Sequence, residues 1–241
     1  MSVSIVSLNI EGNKHFELFL PFLKAQTPDI VCLQELLKQD IPRVEQELGA
    51  KCFFVPMLKK TEDPESAQGI GIFSSHQFVN TSSAYYGGTR ELKVVDNTNI
   101  DTRAVTQSFS LSLCDIDVRG TVYRVGSTHF PWTPDGSASE FQRTSLKNLL
   151  SILREQGDIV FCGDFNAPRG QEIFTAISKE FKDNVPPEYT SSLDPVLHRA
   201  APLHLMVDGL FSTPGYKVTD VKMVGGLSDH CALVGKIEKA S

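Results

Sequence analysis

The sequence predicts an α+β fold in which two β-sheets pack face to face, with helices on their outer sides. Three observations support this. Strand-like and helix-like stretches interleave at both ends of the chain, several strand-like stretches run consecutively in the middle, and the composition, 41% apolar and 22% charged, is that of an ordinary globular protein. A chain of 241 residues suits one large domain over residues 1–241, which at this size needs no covalent staple to bury its core.

Each element has a local reason. SIVSLN (4–9) is an apolar run that reads as a strand. HFELFLPFLKAQ (15–26) has helical periodicity, with a bend expected at Pro21. DIVCLQE (29–35) reads as a buried strand after Pro28. DIPRVEQEL (40–48) reads as a helix with Asp40 as its cap and Pro42 in its first turn. Strands then dominate: KCFFVPM, QGIGIFSS, FVNTSSAYY, RAVTQSFSLSL and TVYRVGSTHF. The run from Arg103 to Leu113 alternates apolar and polar residues, as a strand with one wet face should. Gly87–Gly88 marks a hinge or turn. SEFQRTSLKNLLSILREQ (139–156) is the clearest helix, with a Ser139/Gln142 capping box and an apolar face of Phe141, Leu146, Leu149, Leu150 and Leu153. DIVFCGDFN, a short helix at 171–181, MVDGLFS, YKVTDVKMV and CALVGKI complete the chain. The polar stretches 59–67 and 183–202 read as surface loops able to shape a cleft.

The net charge of −6 argues against bulk electrostatic binding of nucleic acid, while allowing a small basic rim around an acidic, metal-filled cleft. Neither a signal peptide nor a run long enough to span a bilayer is evident, so the expectation is a cytoplasmic protein with no membrane segment and no evident protein partner. Cys32, Cys52, Cys114, Cys162 and Cys231 lack metal-site spacing and sit in apolar runs, where a buried free thiol is the usual state.

Polar residues recur where the strands stop. Asn9 ends SIVSLN and Glu11 follows it; Glu35 ends DIVCLQE; His129 ends YRVGSTH; Asp164 ends DIVFCGD, with Asn166 two residues on; Asp208 lies in MVDGLF; Asp229 and His230 precede CALVG. Residues two apart in extended chain point the same way, so Asn9 and Glu11 can share a site, as can Asp164 and Asn166. Taken singly, each has a bland explanation: Asp and Asn suit turns, and a lone histidine is more often structural than catalytic. The repeated placement, with complementary chemistry, is poorly explained that way. Clustered carboxylates repel one another unless a cation sits among them. Oxygen and amide donors favour a hard ion, Mg²⁺ or Mn²⁺, over zinc. Such an ion, with an imidazolium, neutralises charge as a phosphate is attacked in line.

The ordered series SLNIEG, LQE, STH, GDFNAP, VDGLF and LSDH, spread over residues 7–230, resembles the endonuclease/exonuclease/phosphatase (DNase I-like) superfamily. That superfamily includes DNase I, exonuclease III-type abasic endonucleases, tyrosyl-DNA phosphodiesterase 2, inositol-polyphosphate 5-phosphatases and neutral sphingomyelinases. The resemblance implies a four-layer αββα sandwich with the site at one edge of both sheets, and a Mg²⁺-dependent phosphoesterase. It also implies roles. Glu35 resembles the principal Mg²⁺ ligand, with Asn9, Glu11 and Asp229 around the same ion. Asp164 resembles the carboxylate that orients or activates the attacking water, and Asn166 the amide on the scissile phosphate. His230 resembles the imidazole at the phosphate or the base, oriented by Asp208, while His129 resembles a proton donor or phosphate contact. Arg103 resembles an arginine near the phosphate. Leu8 and Gly209 stand where the family often has Trp and Tyr. His129 resembles the histidine-containing branches, whereas abasic endonucleases carry Tyr there.

Trp132, the single Trp of the chain, follows His129 closely and is placed to stack a base or an aromatic leaving group. Arg143 and Arg169 are candidate phosphate contacts. These features favour a phosphodiesterase acting on DNA or RNA, as a nuclease or an end-processing enzyme. The alternative is a small-molecule or lipid phosphoesterase acting on an inositol phosphate, sphingomyelin or a nucleotide. A non-catalytic binding module predicts loss of the metal and catalytic residues, none of which is missing.

Overall fold

The computed structural model describes residues 2–199 and 203–240, and within these two six-stranded sheets form the centre. The first holds β1 (Val3–Asn9), β2 (Ile30–Leu37), β3 (Lys51–Lys59), β4 (Ala67–Ser74), β11 (Tyr216–Val224) and β12 (Ala232–Lys239), in the order β11-β12-β1-β2-β4-β3. The second holds β5 (Gln77–Gly88), β6 (Ser108–Val118), β7 (Thr121–His129), β8 (Val160–Asp164), β9 (Lys182–Asp183) and β10 (Asp208–Ser212), in the order β5-β6-β7-β8-β10-β9. Parallel pairs lie at the centre of each sheet, β1 with β2 and β7 with β8, and α1 (Phe16–Gln26) and α4 (Glu140–Arg154) make their crossovers.

Three apolar layers explain the stacking. Val6, Leu8, Val31 and Leu33 face outward onto Phe19 and Leu23 of α1 and Val44 of α2 (Ile41–Leu48). Val3, Ile5, Ile30 and Cys32 face inward and meet Val125, Val160, Cys162 and Leu210 of the second sheet. On that sheet's far side, Leu111, Phe161 and Phe211 pack on Leu149 and Leu153 of α4 and Phe174 of α5 (Glu172–Ser178). Neighbours along a strand therefore serve different layers, as the pleat requires. The result is the helix–sheet–sheet–helix sandwich. Fully burying one of these leucines contributes roughly 1.5–3 kcal/mol. No helix among the described residues is long and apolar enough to cross a membrane. All five cysteines are free.

Some local expectations need correction. The strand expected from Arg103 begins only at Ser108, because Ile100–Thr106 forms α3. Its Asn99 side chain accepts from Thr102 N at 2.9 Å, and Thr102 Oγ1 accepts from Asn99 N at 3.3 Å. This capping box outweighs the strand-like alternation of the following residues. Asp40 does not cap α2: it is already helical (φ −89°, ψ −9°), at the end of a 3₁₀ turn over Lys38–Asp40, and makes no capping hydrogen bond. Pro21 lies inside α1. Gly87–Gly88 ends β5 rather than forming a free hinge: at Gly88 (φ 72°) a Cβ would sit 1.9 Å from the Gln107 carbonyl oxygen. The Ser139/Gln142 box on α4 is present as expected. Of the expected 183–202 loop, residues 200–202 lie outside the described residues.

Candidate active site

The inter-sheet apolar layer runs out at one edge, and the residues that continue its period are polar. In β1 the inward series Val3, Ile5, Ser7 ends at Asn9; in β8, Val160 and Cys162 lead to Asp164. In β7, Tyr123, Val125 and Ser127 lead to His129; in β10, Asp208 stands two residues before Leu210. The two-residue repeat aims all four into the seam between the sheets. Pairing does the rest: His129 and Asp208 are the register partners of Asp164 on either side. Across the seam, Asn9 Nδ2 donates to Asp164 Oδ2 at 3.0 Å. One layer deeper, Gln34 Nε2 donates to Ser127 Oγ at 3.1 Å, linking the two sheets.

Glu35 reaches the same place by another route. It directly follows inward-facing Gln34, so a regular strand would turn it outward. The pairing of β2 with β4 shifts register between Leu33 and Leu36, and Glu35 takes φ 60°. Such a left-handed non-glycine residue costs of order 1–3 kcal/mol and persists where surrounding bonds hold it. Here Gln68 Nε2 donates to the Glu35 carbonyl at 3.1 Å and to Oε2 at 3.3 Å, while Asn9 Nδ2 lies 3.3 Å from Oε1. Glu11 (φ 49°) and Asn166 (φ 46°) are left-handed too. Glu11 N donates to Asn9 Oδ1 at 3.1 Å, and its carboxylate is held by Lys14 and by His15 Nε2, the latter at 3.0 Å. Asn166 N donates to Asp164 Oδ1 at 2.8 Å, and its Nδ2 to the Phe130 carbonyl at 3.0 Å.

The electrostatics divide the site. His230 Nδ1 lies 2.8 Å from Asp208 Oδ2, and its Nε2 lies 3.7 Å from Asp164 Oδ2. His129 Nε2 approaches the same Asp164 oxygen at 3.5 Å. Burial opposes charge on His230, but Asp208, Asp164 and Asp229 outweigh it and hold the imidazole well above the usual histidine range. The surrounding carboxylates therefore favour the charged form of His230. Asp229 is pushed up to about 6 by burial, with Glu11 and Glu35 adding to the shift against the pull of His230. Glu35 and Asp229, with Glu11 beside them already held by Lys14 and His15, form a carboxylate crowd that a divalent cation would relieve, and their oxygens fit a hard ion. Asp164, Asp208 and His230 also bring potential ligand atoms within 4.8 Å of one another. The His230–Asp208 contact occupies Nδ1, which leaves Nε2 of that imidazole facing Asp164.

The expected substrate contacts separate. Arg103, half-buried on α3, places its guanidinium 5.4 Å from the Trp132 ring centroid. Burial lowers its pKa although Glu35 attracts it. Arg143 is not brought to the cluster: on the surface of α4 it grips Glu172 at 2.7 and 2.9 Å and Glu140 at 2.5 Å. Arg169 likewise braces a loop, bonded to Asp183 at 2.7 Å and to the Val185 carbonyl at 2.9 Å. Arg143 is held by exposed carboxylates and Arg169 by a carboxylate and loop carbonyls, and neither touches the Asp164 cluster among the described residues.

One wall of the site comes from the 183–202 stretch read as a cleft-shaping loop, though the partners that hold it were not legible in the sequence. Segment 192–198 is stapled to both signature loops. Ser192 Oγ accepts from Val207 N and Asp208 N at 3.0 and 3.1 Å, and Cys231 N donates to the Ser192 carbonyl at 2.7 Å. Asp194 N donates to the Asp229 carbonyl at 2.9 Å, and the Asp194 carboxylate accepts from Gly226 N and Leu197 N. This sets the His198 ring 6.4 Å from that of His230, nearly perpendicular at 72°. Burial and the His230 charge lower the His198 pKa. These partners are distant in sequence, so no local pattern announced them.

Solved structures with this architecture cover nearly all of the chain. An endonuclease/exonuclease/phosphatase from Bacteroides vulgatus matches with a TM-score of 0.74 at 16% identity, over 100% of both chains. The catalytic domain of human Nocturnin, solved with a bound sulfate anion, matches at 0.72 and 18% identity, over 99% of this chain and 94% of that one. A mannosyl-6-phosphatase from Bacteroides thetaiotaomicron VPI-5482 matches at 0.70 and 13% identity, over 99% and 100%. At these identities the likeness shows the fold. No curated protein sequence matches the chain. The model of the Endonuclease/Exonuclease/phosphatase family matches residues 6–230. A match of that extent, on a site with this geometry, means that the chain belongs to the endonuclease/exonuclease/phosphatase family, whose members are usually hydrolytic phosphoesterases.

Proposed function

We propose that the chain is a Mg²⁺-dependent phosphoesterase that hydrolyses phosphodiester bonds of nucleic acid, as a nuclease or an end-processing enzyme. The observation that carries this reading is Asp164 Oδ2, held by Asn9 at 3.0 Å and faced by His129 and His230 at 3.5 and 3.7 Å, beside the Glu11–Glu35–Asp229 crowd. Glu35 and Asp229, with Asn9 and Glu11 beside them, are the residues that would hold Mg²⁺. The bound ion supplies charge neutralisation at the phosphate oxygens and a more acidic water.

The remaining chemistry belongs to side chains in place. Asp164 orients the attacking water and accepts its proton, a role worth roughly 10²–10⁴-fold in rate. The Asn166 backbone bond to Oδ1 and the Asn9 bond to Oδ2 fix that carboxylate before substrate arrives. Asp208 holds Nδ1 of His230, so the Nε2 proton points into the cleft, where it stabilises charge on a phosphate oxygen. His129 Nε2, on the other side of Asp164, is placed to donate to the leaving oxygen. Asn166 meets the phosphate by exchanging its bond to the Phe130 carbonyl.

A second reading, a phosphoesterase of small molecules, is favoured by the net charge of −6 and by the fold shared with a mannosyl-6-phosphatase. One panel tests both. Hydrolysis of bis-p-nitrophenyl phosphate is expected with Mg²⁺ or Mn²⁺ and lost in excess EDTA; full activity in EDTA would remove the metal from the scheme. Cleavage of oligonucleotides supports the first reading. Turnover of sugar or inositol phosphates with oligonucleotides left intact replaces it with the second.

A further inference from the structure

We infer that the cavity beside Trp132 is a nucleobase pocket, seating one base of the substrate while the phosphate attached to it lies at Asp164. This rests on the nucleotide-directed reading above. The cavity, about 140 Å³, is lined by Phe109, Pro131, Trp132 and Phe141, with Arg103 and Asp101 among its polar residues. Its wall is tied to the catalytic carboxylate: the chain leaves β7 at His129, Phe130 N donates to the Asp164 carbonyl at 2.8 Å, and Pro131 and Trp132 follow directly. Phe130 is fully buried and stacks on Tyr86 at 5.8 Å, which anchors the loop beneath the pocket. Phe109 and Phe141 meet edge to face at 5.7 Å and make an apolar wall.

Two features call for a ligand. Trp132 stays 40% exposed although the neighbouring aromatic is sealed in the core, so a large flat surface is left at the mouth. Arg103 is the second. Arg124, Arg143, Arg154 and Arg169 each hold a carboxylate, at 2.5–2.7 Å. The Arg103 guanidinium lies against the indole, and among the described residues no side chain accepts a hydrogen bond from it. A half-desolvated guanidinium that Glu35 attracts but no described side chain hydrogen-bonds, next to an open indole, suits a ligand that is planar and π-rich and carries an anion. A nucleotide has that chemistry, and every base offers a face to stack. The volume is below the roughly 300–1,000 Å³ typical of small-molecule and cofactor sites, so the pocket takes one ring system rather than a lipid chain.

Because Trp132 is the single Trp, its fluorescence reports on this pocket alone. The experiment is a titration of the purified protein in EDTA, excited beyond the nucleotide absorbance. Probes are adenosine 5′-monophosphate, a short 5′-phosphorylated oligonucleotide, inorganic phosphate and mannose 6-phosphate. Saturable quenching is expected from a nucleotide-containing probe and none from phosphate or the sugar phosphate. Arg103→Ala, with circular dichroism unchanged, should weaken nucleotide binding on the order of 10-fold while leaving the reporter in place. Quenching by the mononucleotide alone assigns the pocket to free nucleotides; quenching by the oligonucleotide as well assigns it to nucleic-acid ends. Absence of nucleotide quenching, equal quenching by phosphate, or an unaffected Arg103→Ala variant overturns the pocket. The readout needs neither metal nor turnover, so it stands apart from failure of the phosphoesterase reading.

Discussion

The two halves of the site solve the cost of burying carboxylates in opposite ways. In the second-sheet half, Asp164 and Asp208 are almost fully buried, yet Asn9 donates to Asp164, His230 sits against Asp208, and His129 approaches Asp164. In the first-sheet half, Glu35 and Asp229 have no cation at hydrogen-bond distance among the described residues: the Asp229 carboxylate is bonded by a serine hydroxyl at 3.1 Å and is pushed up to about 6 by burial and like charge, against the pull of His230. Asp208 too is raised by burial, but His230 pulls against that shift from hydrogen-bond distance, whereas at Asp229 like charge adds to it. On the proposed reading, the second-sheet half carries the proton chemistry and the first-sheet half would hold the metal.

The sharpest way to break this comparison is to remove one carboxylate charge from each half. Asp164→Asn is expected to lower kcat for bis-p-nitrophenyl phosphate by about 10²–10⁴-fold, with no recovery at high Mg²⁺. Glu35→Gln is expected to lose activity at low Mg²⁺ and to regain part of it as Mg²⁺ rises. Initial rates against Mg²⁺ decide it, and the same Mg²⁺ response in both variants would erase the division.

A change of similar size, read in stability rather than rate, probes the His230–Asp208 pair. Asp208→Asn removes the charge partner of a buried imidazolium, a change worth roughly 3–5 kcal/mol of stability. Since the folded pKa of His230 lies above its unfolded value of about 6.5, the stability it contributes is complete below that pH. That stability is lost as the pH rises through the folded pKa. The cost of Asp208→Asn should therefore be largest near pH 6 and shrink in alkali. Urea unfolding of both proteins at the two pH values measures it; an equal cost at both would mean that His230 is folded in its neutral form.

The smallest expected effect lies outside both halves. Arg143→Ala should leave hydrolysis rates unchanged, because Arg143 serves exposed ion pairs with Glu140 and Glu172. A clear loss of rate would return it to the substrate path.

Most of the cluster was legible because a strand has a period of two. Once Val3 and Ile5 face the second sheet, Asn9 must face it too, and the same parity carries Asp164, His129 and Asp208. Where Arg143 and Arg169 point was not legible, because charge in a sequence does not reveal its partner. Arg103 was placed on a strand because the residues after it alternate, while the Asn99 cap that makes α3 starts four residues earlier.

By itself, the sequence determined the layers and the polar ends of the strands, since apolar period and capping chemistry are local properties. Only the tertiary structure decided the rest. The irregularity that turns Glu35 into the seam depends on Gln68 of another strand. The wall carrying His198 depends on Ser192 and Asp194 binding backbone groups of two distant loops. The pocket at Trp132 depends on α3 setting Arg103 against a loop from β7. Each joins groups far apart along the chain, and such contacts exist only once two sheets have closed on one another.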